Sequence, residues 1–598
     1  MKSLKNNLYI LSQLHRYSKS RIGLSLVCTV LNVINDLILN IFFLPYILSA
    51  VANQTPVREV LTLCGIMIAV MIVVIGFMAW YDNMYLPKSN SKIAEGFHNN
   101  LYHKATEIDL ICYDDPQFYN STVWVMNDVN QRATRALDQL NNWLGDLLMI
   151  GSVIGISISF EPIILLFAVV PIMVSMLLEP RINQLTYRYT QSNLLPDRKR
   201  GYVSGIYGSG VFAKELRLFP QISRPLSNIF EMSTEDKKNN IKYFGKRIFG
   251  GMSFQDIFIY AIGSFGALVY LAYQATVSHA IDVGVVVALS NGIWQISGRI
   301  GTITAIFPQM QENSLYIENY RSFLEMEAEI GANESGEEAK KGANGLELKD
   351  VSYRYTQEGP EVLHGINMQV KAGEKIAIVG YNGAGKTTLV KLMMRLYQPE
   401  SGSILMDGKE AEAYRLESYR SRFGVIFQDY QMYAVSVAEN VLMGEYEAGE
   451  KARVEEALKQ SGLYERVQEE PDGIESNVMK EYDEKGIIFS GGQAQKLAIA
   501  RVFARECGIV IMDEPSSALD PISEYETHKR MLEASKDKTV VLISHRLSTT
   551  KDADRIYYME HGEIVEEGTH EELMERDGKY AYMFRLQADQ YNRLPEVL

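Results

Sequence analysis

Residues Gly380-Tyr381-Asn382-Gly383-Ala384-Gly385-Lys386-Thr387, followed by Thr388, fit the pattern G-x-x-x-x-G-K-[ST]. A strand-like run, Lys375-Ile-Ala-Ile-Val379, leads in, and a helical pattern from Leu389 to Leu396 leads out. Phosphate chemistry needs that order. Glycines let backbone N–H groups curl around an anion, and a helix start adds partial positive charge. Lys386 would neutralise the terminal phosphates of a nucleoside triphosphate, and the Thr387 hydroxyl would ligate Mg²⁺.

Two further stretches suit the same chemistry. Ile509-Val-Ile-Met-Asp513-Glu514 reads as a buried strand ending in two carboxylates. Side chains alternate along a strand, so one carboxylate can hold Mg²⁺ while its neighbour polarises an attacking water. Phe489-Ser490-Gly491-Gly492-Gln493 precedes a helical run to Arg505 and forms a second potential anion seat. One nucleotide needs two seats only if two copies of the chain sandwich it.

The elements that must position these residues fall into two halves of different composition. The 598 residues are 47% hydrophobic with a net charge of −14. Up to Gly345 there are 28 basic and 28 acidic residues, whereas from Leu346 onward there are 31 and 45. The whole negative excess therefore belongs to the second half. It argues against a nucleic-acid binder. Cys28, Cys64, Cys112 and Cys507 show neither disulfide nor zinc spacing.

The first half carries six apolar runs: Ile22–Val51, Val60–Trp80, Leu144–Phe160, Ile163–Leu178, Ile248–Tyr273 and Val283–Phe307. With their helical flanks they reach the ~20 residues that cross a bilayer. Lys and Arg cluster before the first run, after the second, after the fourth and before the fifth, so these loops and both termini are expected to be cytoplasmic. The first run is too long for a cleavable signal. Polar residues recur every four positions inside or beside the runs: Asn32, Asp36, Asn40; Asp138, Asn142, Asp146; Asn291, Gln295, Arg299. They would line a water-filled cavity or hydrogen-bond between helices, with Asp36–Arg299 a candidate ion pair. Trp143 and Trp294 would contact a ligand there or anchor the membrane interface. Two long cytoplasmic stretches have tips at Tyr113–Tyr119 and Ala213–Phe219, whose exposed aromatics suggest docking. Residues 331–345 lack apolar periodicity and read as a flexible linker.

Taken in order, these motifs resemble an ABC transporter of the exporter type. The resemblance covers essentially the whole chain. It implies an all-α six-helix transmembrane domain over 1–330, a linker over 331–345, and an α/β P-loop NTPase domain over 346–598 that hydrolyses ATP with Mg²⁺. It also assigns roles to single residues. Tyr355 would stack on adenine, Gln428 would sit near Mg²⁺ beside Thr387 and Asp513, Glu514 would be the general base, and His545 would order the γ-phosphate. Ser490, Gly491, Gly492 and Gln493 would be the signature that closes on ATP, Ser517-Ala-Leu-Asp520 the D-loop, and the tips around Pro116 and Glu215 the coupling helices. Phe489 stands where the family usually has Leu. The expected partners are the lipid bilayer of the cytoplasmic membrane and a second copy of the chain, with a heterodimer as the alternative. The expected cargo is a peptide or amphiphile carried outward, and no substrate-processing domain is expected ahead of the first span. Import of a metal chelate, or an ATP-gated channel or sensor subunit, would use the same fold.

Overall fold

The computed structural model describes residues 2–330, 336–356, 359–513, 529–531, 533–544 and 550–592. Two units emerge, one of Met1–Thr106 with Asn120–Met326, the other of Glu107–Tyr119 with Glu327–Leu598. The first cytoplasmic tip thus groups with the nucleotide half.

The first unit is helical. Among the described residues, five helical stretches are long and apolar enough to cross a membrane: Arg21–Ala52, Val57–Glu107, Gln131–Phe160, Pro162–Gly208 and Pro220–Thr276. At ~1.5 Å per residue, the 51 residues of Val57–Glu107 outrun a ~30 Å hydrocarbon core, so the helix continues well past it. The sixth apolar run folds within one helix, Val283–Leu324. It falls outside those five, and Asn291, Gln295 and Arg299 dilute its hydropathy. Outward faces stay apolar: Val73 is 72% exposed and Leu177 69%, which suits lipid. Inside, Val33, Ile41, Met149, Val153, Leu271, Leu289 and Ile293 form a packed core.

The wide turn at Ile38–Phe43 has a local consequence. A π-type turn loosens the helical ladder, and the Asn40 carbonyl accepts a hydrogen bond from Asn291 Nδ2 at 2.8 Å. That bond couples two helices.

The second unit holds two sheets. Strands β1 (Leu346–Tyr353), β2 (Leu363–Val370), β4 (Ser401–Met406) and β5 (Lys409–Glu410) make an antiparallel sheet in the order β2-β1-β4-β5. The other sheet runs β10-β9-β3-β8-β7-β6, from Glu563–Gly568, Arg555–Glu560, Lys375–Gly380, Thr539–Ile543, Ile509–Asp513 and Phe423–Ile426. Its β9-β3-β8-β7-β6 part is parallel. Every residue of β7 and β8 is buried, as unbroken apolar runs require when both faces of a parallel sheet are covered.

The expectation of a freely flexible linker does not hold over residues 336–345. Glu337 N–H donates to Ala413 O at 2.9 Å, Ala339 N–H donates to Ser418 Oγ at 2.9 Å, and Lys409 pairs with Glu337. Asn344 is buried. Backbone groups hold this segment against the nucleotide unit, and hydrophobic periodicity carries no trace of such bonds.

Candidate functional site

The parallel strands fix where the phosphate loop lies. Ile378 pairs with Ile543, Asp513 also pairs with Ile543, and Ile426 pairs with Met512. The ends of β3, β7 and β8 and the start of the Gln428 turn therefore share the carboxyl edge of the sheet, where open α/β sheets bind ligands. The loop Gly380–Gly385 leaves β3 at this edge and enters the helix Lys386–Met393, which has no side-chain N-cap. Gly385, at the N-cap, brings no side chain over the helix start, a geometry that suits an approaching anion.

Two glycines in the loop are obligatory for different reasons. A Cβ on Gly380 would come within 2.1 Å of the Met559 carbonyl oxygen. Gly385 has φ +97°, and a Cβ there would meet Leu363 Cδ2 at 2.6 Å. Lys386 Nζ donates to the carbonyls of Gly380 at 2.9 Å and Tyr381 at 3.0 Å, so its ammonium spans the loop mouth. Thr387 Oγ1 faces Asp513 Oδ2 at 3.4 Å, and Asp513 is 3% exposed. A hydroxyl and a buried carboxylate that close are hard oxygen donors of the kind Mg²⁺ takes. Tyr355 Oη lies 2.9 Å from Thr388 Oγ1, and its ring packs edge-on to Tyr353 at 5.2 Å and Tyr397 at 5.6 Å. Tyr381, Asn382, Gly383 and Gln428 are exposed, and Ala384 is buried. Glu514, Ser517–Asp520 and His545 lie outside the described residues.

The second anion seat is built on a different core. Ser490 caps the helix Gly491–Ala504: Gln493 N–H donates to Ser490 Oγ, and Gln493 Oε1 accepts from Ser490 N–H at 3.0 Å. The spacing Ser-x-x-Gln is the sequence mark of this capping box. Phe489 packs against the core that contains Val437, Val441, Leu458 and Leu497, separate from the core around Leu389 and Ile378 that carries the phosphate loop. Arg501 ties this helix to its neighbour, donating from Nε to Asn440 O at 3.0 Å and from Nη2 to Asn440 Oδ1 at 3.1 Å. Burial lowers the Arg501 pKa.

The first cytoplasmic tip makes contacts that no motif foretold. Asp114 Oδ2 accepts from Tyr397 Oη at 2.7 Å, and Asp109 Oδ2 accepts from Glu329 N–H at 2.7 Å. Burial, then Asp114, pushes the Tyr397 hydroxyl pKa well above its ordinary value, so the phenol stays a donor. At the second tip Val211, Leu218 and Phe219 are exposed in the single chain.

In the membrane unit, Asn32, Asp36, Asn142, Asp146 and Arg299 line one cavity of about 370 Å³ together with Trp143. Arg299 reaches Asp36 Oδ2 from Nη2 at 2.8 Å and Asp146 Oδ1 from Nη1 at 2.6 Å. Asn40 and Asn291 meet each other instead, and Asp138 and Gln295 are not among the lining residues. Trp294 packs against Tyr260 at 5.4 Å. The polar stripes thus build both a cavity and an interhelical hydrogen bond.

Comparison with known proteins agrees with this geometry. The ABC transporter family profile matches residues 363–517. The chain is 27% identical to the subtilin transport ATP-binding protein SpaT of Bacillus subtilis over 510 residues, 84% of this chain and 81% of that protein. It is 40% identical to an ATP-dependent lipid A-core flippase of Ralstonia nicotianae over 260 residues, 43% of either chain. It is 32% identical to the corresponding flippase of Yersinia pestis over 354 residues, 59% of this chain and 60% of that one. In fold it resembles a bacterial Atm1-family exporter solved with ATP bound, with a TM-score of 0.72 at 20% identity, covering 95% of this chain and 98% of the other.

Proposed function

From the premise that this chain belongs to the ABC transporters, as an exporter-type fusion of membrane and nucleotide units, we propose that it carries a peptide or amphiphilic small molecule outward across the cytoplasmic membrane by alternating access. The observation that supports this reading best is the carboxyl-edge site. Lys386, Thr387, Asp513 and Tyr355 converge there on one phosphate loop, in a chain whose other half presents apolar helices.

Each residue has a job in that reading. The loop amides and Lys386 bind the phosphates, and Tyr355 stacks its ring on adenine. Thr387 and Asp513, with Gln428, would hold Mg²⁺, whose bound charge offsets the negative charge of the transferring phosphoryl group. Glu514 acts as base toward water and His545 orients the terminal phosphate. Phosphoryl transfer of this kind is mostly positioning and charge neutralisation.

Each ATP site needs two chains. The Ser490–Gln493 seat rests on a separate core from the phosphate loop, so two copies related by a two-fold axis would pair one loop with the other's seat. The exposed Val211, Leu218 and Phe219 tip suits docking on the partner's nucleotide unit. Closure of the pair would draw the tips together, and hydrolysis would release them.

Complementation tests this arrangement. Lys386→Ala disables the loop. Gly491→Asp places a carboxylate at the second seat, where a helix N-terminus tolerates it but phosphate does not. Each variant alone would be inactive in ATP-driven accumulation by inside-out vesicles. A coexpressed mixture forms mixed dimers about half of the time, each with one intact site, for about a quarter of the wild-type site number. No activity above background in the mixture would mean that each site is built within one chain.

A further inference from the structure

The cavity of the membrane unit carries a charge imbalance that its own residues do not resolve. Asp36, on the helix Arg21–Leu37, and Asp146, on the helix Pro116–Phe160, share the single guanidinium of Arg299. Among its lining residues the cavity therefore has one surplus negative charge. A surplus charge among membrane helices is costly and tends to mark a binding site or pathway.

The two carboxylates are not equivalent. Asp146 uses both oxygens: Oδ1 accepts from Arg299 and Oδ2 from Thr302 Oγ1. Its side chain is 8% exposed, which makes it a structural brace. Asp36 engages Arg299 through Oδ2 alone, and its side chain keeps 39% exposure. Asp36 is the carboxylate that an incoming group can reach.

The neutral lining points the same way. Gln139 Oε1 and Asn141 Oδ1 belong to cavity-lining residues and are buried acceptors with no partner among the described residues. Arg299 Nε is a buried donor in the same condition. Two orphan acceptors and a half-used carboxylate against one orphan donor favour a ligand rich in N–H groups that also offers a carbonyl. Trp143 adds an aromatic ring to the wall, which suits a cation. At about 370 Å³ the space lies at the small end of ligand pockets, so it takes one end of a larger molecule.

We propose that this cavity seats the cationic end of a peptide-like amphiphile, with Asp36 pairing with its ammonium or guanidinium group and Arg299 and Asp146 framing the place. The proposal rests on the export reading and names the substrate class for it. Anionic amphiphiles would meet the surplus negative charge and be disfavoured.

The test uses the full chain in nanodiscs of zwitterionic phosphatidylcholine, so that lipid charge recruits nothing. The probes are a fluorescent decapeptide with three lysines and its counterpart with glutamates at the same positions, added without nucleotide. The expected result is binding of the lysine peptide at least tenfold tighter than the glutamate peptide. Asp36→Asn should weaken the lysine peptide on the order of tenfold, about 1.4 kcal/mol. Asp36→Glu, which keeps the charge, should retain most of the affinity and so exclude misfolding as the cause. Equal binding of the two peptides, wild-type affinity in Asp36→Asn, or equal loss in Asp36→Glu would overturn the proposal. Export is read separately, as ATP-dependent accumulation of each peptide in inside-out vesicles against a Lys386→Ala control. Charge-selective binding without accumulation would sink the export reading while the seat stands. Accumulation of the glutamate peptide in preference would sink the seat while export stands.

Discussion

Tyr397→Phe probes the coupling between the nucleotide site and the first cytoplasmic tip with a single oxygen. Tyr397 is 2% exposed, its ring stacks on Tyr353 at 5.4 Å and meets Tyr355 edge-on at 5.6 Å, and its hydroxyl donates to Asp114 at 2.7 Å. Phenylalanine keeps the ring contacts, so the change removes only the hydroxyl's bonds, the one to Asp114 and a longer one accepted from Lys391 Nζ at 3.3 Å. A bond to a carboxylate contributes roughly 1.5–3 kcal/mol, which corresponds to a factor of about ten to a hundred. Through Tyr355 the same ring cluster touches the candidate adenine site, so losing the bond should weaken the link between ATP binding and movement of the tip. The assay is the ratio of cargo moved to ATP hydrolysed in proteoliposomes. That ratio should fall about tenfold in Tyr397→Phe, fall similarly in Asp114→Asn, and fall no further in the double variant, because contacting partners are not additive. The sign of the pH effect follows from the raised hydroxyl pKa. A phenol whose pKa is raised keeps its proton up to and beyond its ordinary value near 10, and the bond is lost only as pH climbs through the raised value. The ratio should therefore show no loss from this residue between pH 7 and 9. A wild-type ratio in Tyr397→Phe, or additive losses in the double variant, would refute the reasoning.

Glu514→Gln should lower ATPase activity by roughly 10²–10⁴, the usual worth of a general base, and trap a nucleotide-bound dimer visible by size exclusion; wild-type turnover would remove Glu514 from that role. Tyr355→Ala should raise the KM for ATP by about ten- to a hundredfold, since stacking on a base contributes roughly 1–3 kcal/mol. Tyr355→Phe, which loses only the bond to Thr388, should change it by a few-fold at most. Arg501→Leu should strip two hydrogen bonds from buried Asn440, leaving its Oδ1 with the Tyr433 N–H, so the unit around Gly491–Ala504 should become sensitive to limited proteolysis at lower temperature.

The nucleotide half was legible because its chemistry demands local spacing. A phosphate loop needs glycines at set positions between a strand and a helix, and the parallel sheet needs unbroken apolar strands such as Ile509–Met512. Both leave marks within ten residues. Asp114 left no such mark. Its partner Tyr397 is 283 residues away, and a Tyr after a helix reads as packing until the fold brings the pair together. The hold on residues 336–345 was invisible for a related reason: it runs mainly through main-chain donors and short polar side chains, which carry no hydrophobic signal.

The membrane half shows how far a spacing of four residues can be trusted. Asn32 and Asp36, like Asn142 and Asp146, keep one face of an ordinary helix, and those four residues do line the cavity. Asn40 continues the same arithmetic, but it falls inside the wide turn at Ile38–Phe43. A π-type turn adds residues per turn, so a register counted at 3.6 drifts, and Asn40 offers its carbonyl to Asn291. Arg299 survives the same test on its own helix because its side chain is long enough to reach both carboxylates. The long cation thus fixes the geometry, and the shorter acid that it leaves half-used sets the selectivity.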